Sequence, residues 1–231
     1  MLRVLGFFVL AALLASVLGH VPVIGPVFRH SGIFGILATA ALLGAVLTRV
    51  AERLLTARKL RSELRALAEV ENAYNQGKIG ALYLARGRPR AARAHLEEAV
   101  RGEPEVAEWQ YRLGLARLAT RDPAGALAAF ERCVQLEEEH AYGTAQMRRA
   151  ECLQRLGRAA DALAALATFE CNHGPSPESA FRRGLALRAL GEKSAARAAF
   201  REVGELARKT ARYQRRAAGW WALRAGLARL V

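Results

Sequence analysis

The sequence predicts an all-α protein, in which two transmembrane helices precede a right-handed α-solenoid of about four helical hairpins and a carboxyl-terminal capping helix. Three observations predict this class: a period of about 34 residues over residues 73–210, two apolar runs before residue 50, and a helix-forming segment at the carboxyl end. A fixed period of this length is typical of stacked repeats, because each unit buries its apolar faces only against its neighbours.

Four segments align at this spacing, namely residues 73–106, 107–140, 143–176 and 177–210. Their small and large residues fall in register once two extra residues, Ala141 and Tyr142, are set aside before the third copy. Each copy predicts two antiparallel helices, because a glycine or an Asp-Pro pair near its middle ends one helix and starts the next. Four positions hold the small residue of the first helix: Gly80, Gly114, Ala150 and Gly184. Four hold the large residue of the second helix: Leu96, Phe130, Leu166 and Phe200.

This pattern resembles the tetratricopeptide repeat (TPR) family over residues 73–210. The turn glycines of that family are matched by Gly87, Gly157 and Gly191, and an alanine opens each second helix at Ala92, Ala126, Ala162 and Ala196. Two departures are Ala150 in place of glycine and the sequence Arg121-Asp122-Pro123 in place of a glycine turn. An ordinary alanine-rich helical bundle is the alternative, but a bundle has no reason to keep the period.

The resemblance implies that the first helix of each repeat lines a concave groove, in which peptides or partner helices bind. Gly77 and Ala81 would face the groove in the first copy. The candidate protein-binding residues of the other copies are Tyr111, Leu115, Met147, Glu151, Phe181 and Leu185. No Lys or Asn stands at these positions to clamp a carboxylate, which disfavours the binding of chaperone carboxyl termini. Apolar residues predominate, so we expect an apolar helix or an extended apolar peptide. The alternative is that these side chains pack only between neighbouring repeats.

Two uncharged apolar runs occupy residues 4–19 and 33–48. Each is slightly shorter than the roughly 20 residues that cross a bilayer, and apolar flanking residues lengthen both. They predict a transmembrane hairpin over residues 1–50, followed by a basic amphipathic stalk helix over residues 51–72. The alternative for the first run is a cleaved signal peptide, which would leave the second run as an anchor.

Positive charge predicts the orientation of this hairpin. The candidate membrane-interface residues beside the two runs are Arg3, Arg49, Arg53, Arg58 and Lys59, whereas the connecting segment carries only Arg29. An excess of Lys and Arg marks the cytoplasmic side, so both ends are expected in the cytoplasm. An abundance of Ala, Arg and Leu indicates a bacterial source. We therefore expect two spans in the inner membrane of a bacterium, with the repeats facing the cytoplasm.

The positive charge is concentrated at the two ends of the chain. The net charge of +14 divides into +6 over residues 1–66, −2 over 67–140, +3 over 141–206 and +7 over 207–231. The repeats lack the basic stripe that nucleic-acid binding requires, so we expect membrane lipid and protein as partners and no nucleic acid. The segment 211–231 predicts a capping helix that buries Leu223, Leu227 and Leu230, or an interfacial helix with Trp220 and Trp221 at head-group depth.

No constellation of residues points to catalysis. The cysteines Cys133, Cys152 and Cys171 form no C-x-x-C pair, and Cys171 with His173 would need further ligands to hold zinc. We expect neither a cofactor nor a metal, and a protein that is not an enzyme. The sequence favours a membrane-anchored scaffold that binds a protein in its groove, and self-association is left open. The alternative is an accessory factor of a membrane-bound biosynthetic or transport complex that makes contacts through the hairpin. An amino-terminal hairpin before TPRs is similar to the layout of HemY-like inner-membrane proteins.

Overall fold

The computed structural model describes residues 25–229, with side chains described from residue 41 onward except at residue 43. The described residues form ten α-helices and no strand. The helices are α1 (Gly25–Ala68), α2 (Ala73–Ala85), α3 (Pro89–Gly102), α4 (Ala107–Ala119), α5 (Pro123–Leu136), α6 (Thr144–Arg155), α7 (Ala159–His173), α8 (Pro177–Ala189), α9 (Lys193–Lys209) and α10 (Arg215–Ala228). The chain divides into two compact units, Met1–Ala66 and Leu67–Val231.

Helix α1 runs without interruption through the second apolar run and most of the predicted stalk. Several of its apolar side chains are exposed, among them Leu42, Val46, Leu54 and Leu55, whereas Leu60 is buried. Within the described residues, no helix combines the length and the apolar character needed to cross a membrane, so the predicted second span is not supported. The predicted first span, over residues 4–19, lies outside the described residues.

The second unit contains four helical hairpins, α2–α3, α4–α5, α6–α7 and α8–α9. Their first helices begin at Ala73, Ala107, Thr144 and Pro177. Each helix pair packs against the next, with α3 against α4, α5 against α6 and α7 against α8. The prediction of an all-helical solenoid with a period of about 34 residues is thus confirmed. Local capping supports it, because the Ser176 side chain forms a reciprocal capping box with Ser179 at the start of α8.

The paired small and large residues hold the two helices of each hairpin together. Gly114 lies so close to the Phe130 ring that a Cβ atom there would be 2.7 Å from Cε1, and at Gly184 it would be 2.5 Å from Cε1 of Phe200. In the third repeat Ala150 takes the place of the glycine and is fully buried. The glycines are therefore required because a large side chain of the second helix packs directly on the backbone of the first, and this contact recurs with the period.

The turns between paired helices need a left-handed residue. Gly87, Gly157 and Gly191 have φ of +67°, +76° and +84°, and Arg121 has φ of +65° at the equivalent place in the second repeat. A side chain disfavours this conformation, whereas glycine adopts it without steric penalty. The second turn thus keeps the geometry of the other three with a residue that is strained in it.

We expect Arg121→Gly to raise the free energy of unfolding by about 1 kcal/mol, because the left-handed strain is relieved. The side chain that is removed is exposed, so its loss costs little. Thermal unfolding followed by circular dichroism should show a midpoint higher by about 2–4 °C. The control is Gly157→Ala, which introduces the strain and should lower the midpoint. A decrease with Arg121→Gly would contradict this account of the turn.

The two extra residues before the third repeat form a left-handed turn. Ala141, Tyr142 and Gly143 have consecutive φ values of +52°, +56° and +70°. The Tyr142 side chain is exposed, whereas His140 just before it is buried, with its ring nitrogens 2.7 Å from Glu137 Oε2 and 2.9 Å from Glu108 Oε2. The insertion is therefore accommodated in the loop, and the register of the repeat core is unchanged.

The last helix, α10, packs against α9 and also reaches α8. Its packed face contains the buried Ala218 and Ala225 together with Trp221. Leu223 and Leu227 are exposed, so the predicted buried side of this helix is wrong, and Leu230 lies outside the described residues. Alanines at a spacing of three to four allow α10 to approach α9 closely, and this turns the leucines to the opposite face.

Candidate functional site

The first helices of successive repeats contact one another along the second unit. Helix α2 contacts α4, α6 contacts α8, and α8 contacts α10. Between α4 and α6 the connection is made by side chains, because Leu118 and Met147 share one hydrophobic core. The first helices thus form a row, on which the predicted groove residues lie. The name first-helix face is used below for this row.

The predicted apolar stripe is largely buried. Met147 belongs to the core around Phe130 and Leu153, and Phe181 packs against Phe200 and Trp221 with ring centroids 5.8 and 5.4 Å away. Their exposed fractions are only 5% and 4%. These two side chains therefore pack within the protein, as the alternative interpretation of the sequence predicted. Apolar side chains that are fully accessible to a partner are therefore fewer here than the sequence suggested.

The other predicted groove residues are partly accessible. Tyr111, Leu115, Glu151 and Leu185 are half-buried on the first-helix face. Burial raises the pKa of the Tyr111 hydroxyl. In the first repeat Gly77 is buried, and a Cβ atom there would be 2.6 Å from the Trp109 ring, whereas Ala81 is half-buried.

An arginine–glutamate network occupies the face of the third and fourth repeats. The Glu151 carboxylate accepts hydrogen bonds from Arg148 Nη1 at 2.8 Å, Arg155 Nη2 at 2.7 Å and Arg182 Nη2 at 2.7 Å. Arg182 also donates to Glu178 at 2.7 Å. Burial alone would raise the pKa of Glu151, but the neighbouring guanidinium groups outweigh it and hold that pKa below its usual range. The site is therefore strongly charged rather than apolar.

Sequence reasoning missed this network, although a signal for it was present. Arg148 and Arg182 directly follow Met147 and Phe181, the two groove positions that proved to be buried. Glu151 stands three residues after Arg148, and Glu178 stands four before Arg182, spacings at which helical side chains pair. The prediction selected the apolar residue just before each arginine, and Arg182 is itself almost completely buried, so its role is visible only from its ion pairs.

A cavity of about 310 Å³ lies beside the network. It is lined by residues of α6 and α8 and by Arg224 of α10: Glu151, Gln154, Arg155, Arg182, Leu185 and Arg224. The Arg224 guanidinium lies over the Phe181 ring at 4.7 Å and near the Trp221 ring at 5.0 Å. No described carboxylate forms an ion pair with Arg224, which distinguishes it from the other arginines of the cavity.

The predicted membrane-interface residues divide into two groups. Arg49, Arg53, Arg58 and Lys59 are exposed on α1, and Arg3 lies outside the described residues. At the other end, Trp220 is exposed, but Trp221 packs into the core beneath the fourth repeat. The prediction that Trp221 faces outward is therefore wrong, because the ring fills the space between Phe181 and the alanines of α10.

The buried thiols are poor nucleophiles. Burial raises the pKa of Cys133 and of Cys152 to about 12, so both are protonated at neutral pH. Cys171 is exposed. Among residues 41–229 apart from residue 43, no three His, Cys, Asp or Glu side chains are arranged to hold a metal ion.

A family model for the tetratricopeptide repeat matches residues 78–142 and 147–209, more than half of the chain. The chain belongs to this family. The two matched stretches are separated at the left-handed insertion, which is where this TPR protein departs from an even period. The similarity to HemY-like proteins is not shown by this match and stays a prediction.

Solved structures share the fold of this TPR protein. A MamA protein of known crystal structure has 22% sequence identity to this chain, and the match covers 74% of this chain and 94% of that MamA chain, with a TM-score of 0.60. MamA from Desulfovibrio magneticus RS-1 is 20% identical over 68% and 94%, with a TM-score of 0.53. YrrB, described as a TPR protein with an unusual peptide-binding site, is 22% identical over 66% and 80%, with a TM-score of 0.56. These identities show a common fold alone. Comparison with curated proteins gave no significant match.

Proposed function

We propose that this TPR protein is a membrane-anchored scaffold that binds a protein partner on its first-helix face. The observation that carries the proposal is the half-buried Tyr111, Leu115 and Leu185 on the first-helix face, of which Leu185 lines a cavity of about 310 Å³. Such a surface offers apolar contacts with charged groups around them, which suits a peptide or a partner helix. The peptide-binding site described for YrrB supports the same class of activity.

Site-specific photo-crosslinking in the native cells tests this proposal. A photoreactive amino acid at Leu115 should form a discrete crosslink to one or a few proteins. The matched control is the same amino acid at Ala128, which is exposed on the second helix of the same repeat. Equal crosslinking from both positions, or none from Leu115, would show that the first-helix face is not the binding surface.

We also propose that residues 1–50 attach the protein to the inner membrane of a bacterium, with the repeats in the cytoplasm. The two apolar runs and the positive residues beside them support this proposal, as do the exposed Leu42, Val46 and Leu47 on α1. The protein should sediment with membranes after alkaline carbonate extraction and dissolve only in detergent. Recovery of the intact chain in the carbonate supernatant would refute the anchor.

The outer face of α10 favours an additional contact with anionic lipid. Trp220, Leu223 and Leu227 are exposed on it, and the last 25 residues carry seven basic and no acidic residues. Brominated lipids in reconstituted vesicles should quench the fluorescence of Trp220, and Trp220→Phe should remove most of that quenching. Undiminished quenching in this variant would contradict the contact.

The alternative function is an accessory factor of a membrane-bound biosynthetic or transport complex that meets its partners through residues 1–50. The exposed apolar side chains of α1 favour this alternative. A photoreactive amino acid at the exposed Leu42 separates the two functions. Protein crosslinks from Leu42 together with none from Leu115 would favour the accessory factor, and the reverse result would favour the scaffold.

A further inference from the structure

We propose that the cavity between the third and fourth repeats binds an acidic segment, rich in Asp or Glu, of the protein partner. This inference rests on the proposed function, because it names the chemistry of the partner that the first-helix face would bind. The sequence analysis had predicted an apolar ligand, whereas the charged residues that line the cavity are three arginines and one glutamate. Most of the cavity residues come from α6 and α8, and α10 adds Arg224.

The charge around the cavity is unbalanced. The guanidinium groups of Arg155, Arg182 and Arg224 line the cavity together with the single carboxylate of Glu151. The ion-pair network adds one further charge of each sign, from Arg148 and Glu178. Arg182 is almost completely buried and is paired with both carboxylates. The excess of two positive charges therefore falls on the accessible arginines, and an anionic ligand would complete the pairing.

Arg224 is the group best placed to receive that ligand. Its guanidinium lies over the Phe181 and Trp221 rings, and it forms no ion pair with any described residue. Stacking on aromatic rings fixes the guanidinium plane but leaves the N–H groups at its edge free to donate. A ligand carboxylate can accept two parallel hydrogen bonds from such a group, with less loss of rotamer entropy than at a mobile arginine.

Arg155 supplies the second accessible donor group. Its side chain is about half exposed, at 49%, and one of its nitrogens donates to Glu151. The remaining N–H groups are available from the cavity side. Leu185 and Ala189 line the same cavity and offer apolar contact to the methylene groups of a bound glutamate.

The carboxylate of Glu151 acts as an internal competitor for the same arginines. It accepts from three guanidinium groups and lines the cavity itself. Removing its charge would free donors of Arg155, which lines the cavity, for a ligand. Glu151→Gln and Arg224→Gln should therefore change the affinity for an acidic ligand in opposite directions, a result that a purely structural role of these residues would not produce.

A protein segment is favoured over nucleic acid as the ligand. The repeats as a whole are close to charge balance, with −2 over residues 67–140 and +3 over 141–206, so they lack the basic stripe that nucleic-acid binding requires, and the excess of +7 is confined to residues 207–231. The half-buried Leu115 and Tyr111 continue the first-helix face beyond the cavity and suit the rest of a bound peptide.

The test is fluorescence anisotropy with the full chain in an uncharged detergent. The probe is a labelled peptide of six glutamates with blocked ends, and its control is the same peptide made of glutamines. We expect at least tenfold tighter binding of the glutamate peptide. Arg224→Gln should weaken that binding at least fivefold, Arg224→Lys should be intermediate, and Glu151→Gln should tighten it. The matched control Arg229→Gln, an exposed arginine on the same segment, should stay within twofold.

Several results would overturn the inference. Equal binding of the glutamate and glutamine peptides would show that the cavity has no preference for acidic residues. Equal weakening by Arg224→Gln and Arg229→Gln would show that Arg224 has no special role. Displacement of the peptide by inorganic phosphate at the same concentration would indicate a general anion site. Thermal unfolding checks that each variant is folded, and the Arg224 result stands if Glu151→Gln fails to fold. If the peptide experiments fail but Leu115 still forms crosslinks to a protein, the acidic ligand is refuted and the scaffold function stands.

Discussion

Phe130→Ala is expected to lower the free energy of unfolding of the second unit by about 3–5 kcal/mol. The Phe130 side chain is completely buried between α4, α5 and the core of the third repeat. Its ring packs against the backbone of Gly114, and its centroid lies 5.8 Å from that of Tyr111. Truncation would leave a cavity that the glycine opposite cannot fill, because neighbouring helices relax only partly.

Urea unfolding followed by circular dichroism measures this loss, with Leu223→Ala as the control. Leu223 is exposed on α10, so its truncation should change stability by less than about 0.5 kcal/mol. If Leu223 were buried, as the sequence predicted, its truncation would also lower the free energy of unfolding. A large loss with Leu223→Ala, or a negligible one with Phe130→Ala, would contradict the packing described here.

Gly184→Ala is expected to destabilise the protein by about 2 kcal/mol, even though alanine is the better helix former. The added Cβ would lie 2.5 Å from Cε1 of Phe200, which is itself buried and packed against Phe181. Phe181 in turn packs against Trp221, so a shift of the Phe200 ring towards Phe181 would disturb that contact as well. The overpacking therefore outweighs the gain in helix propensity, which is about 1 kcal/mol.

The matched control is Gly204→Ala in α9. A Cβ at Gly204 meets no atom within 4 Å, so only the propensity term acts, and stability should rise by up to about 1 kcal/mol. The two variants make the same chemical change in neighbouring helices, and thermal unfolding should shift in opposite directions. Shifts of the same sign would show that the glycine of the first helix is not retained for close packing.

The repeat architecture could be predicted because its cause lies within about 34 residues of chain. Gly184 and Phe200 belong to one hairpin, and the same relation recurs at Gly80 with Leu96 and at Gly114 with Phe130. Local contacts of this kind recur in every copy, so the pattern can be recognised without knowledge of the tertiary structure. The strained Arg121 was visible for the same reason, since glycine occupies its position in the other three turns.

The groove was harder to predict, because a helical pattern does not tell which of two adjacent side chains joins the apolar core and which joins the charged network. Met147 and Phe181 were selected as facing residues, yet each packs inward, and the adjacent Arg148 and Arg182 form the charged network. Both residues of each pair lie within the range of directions that a helical pattern allows. Only contacts with neighbouring repeats decide between them.

The sequence by itself determined the helical hairpins, their period, their turns and their number, because each of these depends on residues close together in the chain. The tertiary structure alone decided the face of α10 that packs. Its two apolar stripes, one with Trp221 and Ala225 and one with Trp220 and Leu223, are equally good helical patterns. The packed stripe is the one whose small alanines fit against α9, and this choice brings Arg224 of the last helix to the cavity between the third and fourth repeats.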